Sequence, residues 1–300
     1  MVSNMPLKIE GIFVPHITPF KKNEELDESA LRRLVRLWTE AGVSGLVPCG
    51  STGEGAYMTR EEKKGVVKIV LEEVVGKILV VMGTGCPSTR ETILLTKDAK
   101  EVGADAVLVT SPYFFKPTND ELFEHYKTVV EAVDIPMILY NVPKFTGYNL
   151  DPSVVIRLVN EYDQIIAIND SAGSIAQIIR LVDAVGKTIS VLAGAGDLIF
   201  PTLTMGGKGG VLAIANVAPQ VCVELYKTFK KNALQTARQL QIQVSRLNSV
   251  LVGKYNQASC LKEGLNQLGL RGGYPRGPLL LPSENIKKEI QVLPLVKTSR

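Results

Sequence analysis

Short apolar segments recur along the chain, separated by longer stretches in which apolar and polar residues are mixed. Eight such segments, rich in Val, Ile and Leu, lie at 11–15, 45–49, 78–82, 106–110, 136–140, 165–168, 189–193 and 210–214. None of them alternates apolar with polar residues, as a strand with one face in water would. Strands that are apolar on both faces are typical of a buried parallel sheet. The pattern therefore predicts eight parallel strands.

The stretches between these segments carry the signals of helix starts. Residues 59–62, 88–91 and 118–121 each begin with Ser or Thr and end with Glu, which fits a capping box. Asp151 precedes Pro152, which suits a cap followed by the first helical position. In the stretch 31–42, one helical face carries the apolar residues Leu31, Leu34, Val35 and Trp38. Strands and helices are therefore expected to alternate along the chain.

Eight strand–helix units in about 220 residues predict an α/β fold, a (β/α)8 TIM barrel. The alternative is a doubly wound open sheet with a second domain, which would more often carry a glycine-rich dinucleotide turn after its first strand. The first strand is instead followed by VPHITPF, which contains no such turn. Beyond residue 220 only helical patterns occur. We therefore predict a barrel over residues 1–222 and a C-terminal helical extension, packed on the barrel, over residues 223–300.

Composition and charge indicate which kinds of binding partner to expect. The hydrophobic fraction is 45% and the charged fraction 21%, as in an ordinary globular protein, and the net charge of +4 is spread along the chain. Charge so weak and diffuse argues against nucleic acid and membrane surfaces as partners. The lysine pairs at 63–64, 230–231 and 287–288 are expected on solvated helix faces.

The four cysteines and two histidines predict neither disulfides nor a metal site. Cys49, Cys86, Cys222 and Cys260 form no C-x-x-C pair, and two histidines are too few for a usual zinc site. Free thiols indicate a reducing compartment. Residues 1–11 lack a hydrophobic signal core, and no apolar run approaches the roughly 18 residues of a membrane helix. We therefore expect a cytoplasmic protein without a metal or other cofactor.

In a barrel of this type the active site lies at the carboxyl ends of the strands. The second predicted strand runs into GSTGEG at 50–55, where the glycines allow a tight turn. Such a turn suits a small anion, above all a carboxylate, bound by the amides and hydroxyls of Gly50, Ser51 and Thr52. A glycine-rich turn without any ligand is the alternative.

Aromatic residues follow the fourth and fifth predicted strands. Tyr140 ends the fifth apolar segment, where its phenol is either part of the core with a satisfied hydroxyl or a carrier of protons. Tyr113, Phe114 and Phe115 follow the fourth strand and are expected either to pack or to contact a neighbouring subunit. Tyr140 is therefore a second candidate for chemistry at this end of the barrel.

Five spaced motifs, GSTGE, SPYFFKP, YNVPKFTG, INDSAGS and ANVAP, occur in this order. Through them the chain resembles the dihydrodipicolinate synthase / N-acetylneuraminate lyase family of class I pyruvate-type aldolases, over residues 9 to about 285. The resemblance implies a (β/α)8 subunit, commonly in a homotetramer. It also implies a small-molecule 2-oxo acid bound at the GSTGE turn and a Schiff base on a lysine at the end of the sixth strand.

The chain departs from this family pattern at three positions. Asn169 occupies the position of the Schiff-base lysine, and an amide nitrogen, delocalised into its carbonyl, does not condense with a ketone. Phe114 stands where the synthase branch has a second tyrosine, and Phe145 where it has an arginine that pairs with the carboxylate of aspartate semialdehyde. Gly194 and Ala213, near the ends of the seventh and eighth strands, complete the residues expected around the substrate.

Two other lysines are candidates to replace the missing amine. Lys144 lies just past the fifth strand, on the face of the barrel that carries the site, whereas Lys208 precedes the eighth strand and belongs at the opposite end. A substitute needs its amine within about an ångström of the productive position. Lys144 is therefore the better candidate.

Three functions remain open from the sequence. The chain is a lysine-dependent aldolase with a substitution at 169, a member with altered chemistry that binds a 2-oxo acid or sugar acid without an imine, or a non-catalytic binding or regulatory protein. The residues at 114 and 145 argue against dihydrodipicolinate synthase proper.

Overall fold

The computed structural model describes residues 7–295, and all eight predicted strands form in it. The strands are β1 (Gly11–Val14), β2 (Gly45–Leu46), β3 (Leu79–Gly83), β4 (Ala106–Thr110), β5 (Met137–Asn141), β6 (Ile165–Asp170), β7 (Ser190–Ala193) and β8 (Gly209–Val211). Each strand pairs in parallel with the next, and β8 pairs in parallel with β1, which closes the barrel. The predicted (β/α)8 TIM-barrel architecture is confirmed.

Helices follow the strands and cover the outside of the barrel. They are α1 (Glu28–Glu40), α2 (Arg60–Val74), α3 (Thr89–Val102), α4 (Asn119–Ala132), the single turn α5 (Pro143–Thr146), α6 (Pro152–Glu161), α7 (Ile175–Val185), α8 (Ile199–Thr204) and α9 (Pro219–Lys230). The predicted helix starts are confirmed, because Thr59 and Thr118 form complete capping boxes. The Ser88 hydroxyl and the Asp151 carboxylate each accept a hydrogen bond from an amide of the first turn.

Side chains of a strand point alternately into the barrel and out towards the helices. The inner cluster is formed by Ile9, Phe13, Val47, Val81, Ala106, Leu108, Ile138, Ala167, Leu192 and Val211. A larger cluster fills the space between the strands and the helices. The strand sequences do not alternate because both faces are buried. Tyr140 and Asn169 lie two residues beyond the inner residues Ile138 and Ala167, and therefore point into the barrel at its carboxyl end.

The C-terminal extension is helical, as predicted. It consists of α10 (Leu234–Asn248), a π-helix (Ser249–Lys254), α11 (Gln257–Gln267) and α12 (Glu284–Gln291). Within the described residues after 220, the only strand-like pairing is an isolated bridge between Phe20 and Tyr274. The extension packs on the barrel, since Leu247 and Leu261 are buried in the same cluster as the outward-facing strand residues. The predicted boundary between the barrel and the extension, at residues 222 and 223, falls inside α9. That boundary remains a prediction.

One expectation about surface charge is wrong. Lys63 was expected on a solvated helix face but is only 9% exposed. The reason is that the face of α2 that carries Lys63, Val67 and Val70 is buried in the fold. Lys230 and Lys231 are exposed, as predicted.

All four cysteines are free and buried, as predicted. Burial raises the pKa of the Cys49 and Cys222 thiols to about 12, so both stay protonated and unreactive near neutral pH. Among residues 7–295, no three or more His, Cys, Asp or Glu side chains are grouped so as to hold a metal ion. In the same part of the chain, no helix combines the length and hydrophobicity of a membrane span.

Candidate active site

A cavity of about 230 Å³ opens at the carboxyl end of the barrel, between the strand ends and the C-terminal helices. It brings together most of the residues predicted to form the site: Gly50, Ser51, Thr52, Tyr140, Phe145, Asn169, Gly194 and Ala213. Motifs that are far apart in sequence therefore meet in one place. Of the predicted site residues, only Tyr113 and Phe114 lie outside this cavity.

Asn169 ends the inward-facing row of β6 and lines the cavity. The residue is 2% exposed, and its Oδ1 has no hydrogen-bond partner among the described residues. Gly194 keeps the adjoining space open, because a Cβ there would clash with the Ser171 hydroxyl and lie 2.9 Å from Asn169 Oδ1. Asn169 therefore presents an unsatisfied polar group to any molecule that occupies the cavity.

The end of β6 is held in place by the next residue, Asp170. Its Oδ2 accepts hydrogen bonds from Asn141 Nδ2 at 2.9 Å and Gln177 Nε2 at 2.6 Å, and its Oδ1 accepts one from Ala172 N at 3.1 Å. These bonds tie β6 to β5 and α7. The backbone that carries Asn169 is therefore fixed by contacts outside the cavity.

Tyr140 is the neighbour of Asn169, since the two residues are paired in the register of β5 and β6. Its hydroxyl lies 3.4 Å from Ser51 Oγ. Burial raises the pKa of the Tyr140 phenol, and hydrogen bonds with Ser51 and Ser171 act in the opposite direction. The phenol therefore stays protonated near neutral pH and is able to donate a hydrogen bond or a proton into the cavity.

The GSTGEG turn is anchored by residues of the C-terminal extension. Glu54 has a left-handed backbone with φ 58°, and its carboxylate accepts hydrogen bonds from Lys262 Nζ and, at 2.8 Å, from Arg276 N. Thr52 Oγ1 accepts a hydrogen bond from Gln257 Nε2 at 2.9 Å, which leaves the hydroxyl hydrogen free to donate. Within residues 7–295, the amides of Ser51 and Thr52 donate to no backbone carbonyl. The turn thus offers amide and hydroxyl donors on a rigid frame.

Lys144 lines the cavity, on the face of the barrel where it was predicted. Its Nζ donates to Val252 O at 2.9 Å and to Gln257 Oε1 at 3.4 Å, and lies 5.6 Å from the centre of the Phe145 ring. Burial lowers the pKa of the Lys144 ammonium. These contacts fix the amine at the wall formed by the C-terminal helices. Lys208, by contrast, directly precedes β8, at the opposite end of the barrel, as predicted.

Of the three aromatic residues after β4, one lines a cavity and two are exposed to solvent. Tyr113 lines a second cavity that adjoins the first. Phe114 and Phe115 are 88% and 79% exposed, and Phe114 has the unusual φ of 82°. The two rings contact each other, with centroids 5.1 Å apart, but they are not buried in the core of their own chain. Their contact with a neighbouring subunit remains a prediction.

Three residues that shape the site were missed from the sequence. Gln257 bridges Thr52 and Lys144, Lys262 binds the carboxylate of Glu54, and Lys63 lines the second cavity. Gln257 and Lys262 lie on α11, in the extension, and no motif marks them. Lys63 resembles any other lysine of an exposed helix. Only the chain's long-range packing brings these residues to the site.

A model of the dihydrodipicolinate synthetase family matches residues 8–295. The chain belongs to this family. The match covers both the barrel and the helical extension, and it confirms the family predicted from the five motifs. The chain is thus an aldolase-family protein.

Relatives and solved structures of the dihydrodipicolinate synthetase family agree with this assignment. A 4-hydroxy-tetrahydrodipicolinate synthase from Methanothrix thermoacetophila is 41% identical, over 94% of this chain and 95% of the relative. The dihydrodipicolinate synthase of Thermotoga maritima superposes with a TM-score of 0.92 at 34% identity, over 96% of this chain and 98% of the other. YagE, a prophage protein of the family from E. coli solved in complex with pyruvate, gives a TM-score of 0.91 at 30% identity, over 95% and 97% of the two chains.

Proposed function

We propose that this protein binds a pyruvate-type 2-oxo acid at the carboxyl end of the barrel and acts on it without a Schiff base. The carboxylate of the acid lies against the amides and hydroxyls of Ser51 and Thr52. Asn169 occupies the position of the family's lysine, at the end of β6. The observation that carries the proposal is a single cavity that joins the amides and hydroxyls of Ser51 and Thr52 to the Tyr140 phenol and to Asn169.

The residues around the cavity suit this ligand. A carboxylate accepts hydrogen bonds, and the turn supplies only donors to it. The C2 ketone oxygen also accepts, and Tyr140 and Asn169, which line the cavity, each carry a donor, the phenol hydroxyl and the amide nitrogen. Two such donors polarise the ketone and acidify the hydrogens on C3. These residues therefore support binding of the acid and polarisation of its ketone, whereas the site has no amine at position 169 for condensation.

The second candidate function is that of 4-hydroxy-tetrahydrodipicolinate synthase. Relatives that are 41% and 36% identical to this chain carry that name. That candidate conflicts with three residues of this chain. Position 169 has no amine, position 114 has no phenol, and position 145 has a phenyl ring in place of a guanidinium. Because the second substrate carries a carboxylate, the loss of a bidentate partner at 145 weighs against it. We therefore propose that the protein lies outside the synthase branch. We also propose that it forms the homotetramer common in the family.

Isothermal titration calorimetry with pyruvate tests the proposal. Pyruvate should bind the native protein, and Ser51→Ala/Thr52→Ala should weaken binding by at least about tenfold, since a charge-assisted hydrogen bond contributes about 1.5–3 kcal/mol. The matched control is Ser29→Ala/Thr39→Ala, which removes two hydroxyls from α1, remote from the cavity. Unchanged affinity in the first variant, or no binding of any 2-oxo acid by the native protein, would contradict the proposal.

A further inference from the structure

Lys63, on α2, is the feature of the site that the proposed function does not use. The residue is 9% exposed and lines the second cavity, which has a volume of about 320 Å³. Its ammonium forms no ion pair with any carboxylate in the described part of the chain. Lys64, the next residue, shows the usual arrangement, with Asp98 and Glu101 within 4.0 Å. The residue is thus largely buried, while its ammonium faces the cavity without a carboxylate partner among residues 7–295.

No carboxylate in the cavity is available to Lys63. Glu54 is the only acidic residue that lines it, and the carboxylate of Glu54 is already bound by Lys262 Nζ. Glu62, one residue away on α2, is bound by the Arg276 guanidinium at 2.7 and 2.9 Å. Lys144 is a second cation in the wall of the same cavity. The cavity is therefore positively charged.

The other groups near Lys63 do not offset this charge. Burial raises the pKa of the Cys49 and Cys86 thiols, so both are neutral near pH 7. Lys63 also lies in the first turn of α2, which begins at Arg60. The helix macrodipole places partial positive charge at that end, which favours an anion and disfavours a cation. The positive charge of the cavity and the polarity of the helix therefore both favour an anion, and residues 7–295 supply none.

The second cavity adjoins the first and shares part of its lining. Gly50, Ser51, Tyr140, Phe145 and Gln257 line both of them. One ligand is therefore able to occupy both cavities, with its first carboxylate on the GSTGEG turn and its far end towards α2. The lining near α2 is mostly apolar, as expected around a methylene chain.

We propose that Lys63 binds a second, distal carboxylate of the ligand, so that the preferred ligands are 2-oxo dicarboxylic acids. This inference rests on the proposed function, because it uses the GSTGEG turn as the first anchor. It names a substrate class that the turn alone does not distinguish from pyruvate.

Calorimetry with matched ligands tests the inference. The ligands are 2-oxoglutarate, 2-oxoadipate and 2-oxopimelate, each compared with its ω-monomethyl ester, which keeps the length and removes the distal charge. For the diacid whose length fits, the native protein should bind the free acid at least about tenfold more tightly than the ester, as expected for a charge-assisted hydrogen bond. In Lys63→Met this ratio should fall to about one.

Lys68→Met is the control, since Lys68 is an exposed residue of the same helix and its loss changes the net charge equally. It should keep the native ratio. Thermal unfolding provides a second readout that a merely structural lysine would not give. With the diacid, the native protein should gain more stability than the variant.

The outcomes separate the two proposals. If pyruvate binds but no diacid binds more tightly than its ester, the inference about Lys63 is overturned and the proposed function stands. If neither pyruvate nor any diacid binds, both are overturned. If Lys63→Met keeps the native ratio and instead changes the molecular mass measured by light scattering, Lys63 pairs with another subunit and the inference is wrong.

Discussion

Replacing Lys262 with methionine is expected to destabilise the fold strongly, because Lys262 and Glu54 form an ion pair whose side chains are 0% and 1% exposed. The Lys262 ammonium also donates to Tyr274 O at 2.7 Å and lies 4.6 Å from the centre of the Phe20 ring. Methionine preserves most of the apolar stem but removes all of these polar contacts. The Glu54 carboxylate would then stay buried, with only Arg276 N as a donor.

The size of the effect follows from the unpaired carboxylate. Removing one partner of a buried pair costs about 3–5 kcal/mol of unfolding free energy. Glu54 also belongs to the GSTGEG turn, so the affinity for a 2-oxo acid should fall together with the stability. In Glu54→Gln/Lys262→Met no charge remains buried, and part of the lost stability should return.

Urea unfolding followed by circular dichroism measures this free energy. The matched control is Lys254→Met, which breaks the ion pair between Lys254 and Glu289, with 54% and 33% of their side chains exposed. That variant should change the stability little, because solvent screens the pair. A loss below about 1 kcal/mol in Lys262→Met, or a double variant that is less stable than Lys262→Met, would refute the reasoning.

Two further predictions concern buried histidines and the shape of the cavity. Burial lowers the pKa of His16 and His125 to about 4, so the unfolded chain takes up protons below about pH 6.5 that the native protein does not. The free energy of unfolding should be highest above pH 6.5 and fall by about 3 kcal/mol per histidine towards pH 4. Urea unfolding across this pH range measures the fall. The same dependence on pH in His16→Gln/His125→Gln would contradict the prediction. Gly194→Ala would place a methyl group against Ser171 and beside Asn169. Calorimetry should then show that pyruvate binding is lost, and circular dichroism should show that the fold is kept. Undiminished affinity for pyruvate would contradict the assignment of this cavity as the binding site.

The sequence predicted the barrel because both faces of its strands are buried, which leaves a strong apolar signal. The strand ends were less predictable. β2 stops at Leu46 although the apolar run continues to Cys49, since Pro48 has no amide to donate and Cys49 adopts a positive φ of 62°. β6 continues through Asn169 and Asp170 although the apolar run ends at Ile168, because backbone pairing does not depend on side-chain polarity.

The residues at the strand ends were predictable for a different reason, namely that parallel strands in a barrel deliver their next residues to one place. The contributions of Gln257 and Lys262 were not, because they depend on how the C-terminal extension docks over the turn 50–55. Lys63 was missed because a lysine on an amphipathic helix is usually solvated. Its burial depends on how α2 packs, which local sequence patterns do not reveal.

The most direct test of the missing amine is trapping with borohydride in the presence of pyruvate, followed by peptide mass spectrometry. The native protein should give no adduct, because Asn169 does not condense with a ketone. Asn169→Lys should give a reduced pyruvyl group on residue 169, where partial burial lowers the pKa of the new ammonium and Tyr140 is placed to transfer the proton. Aldolase activity should rise with the adduct and fall again on adding Tyr140→Phe. A trapped adduct on Lys144, Lys63 or any other lysine of the native chain would contradict the account, and so would an Asn169→Lys protein that binds pyruvate without ever forming the imine.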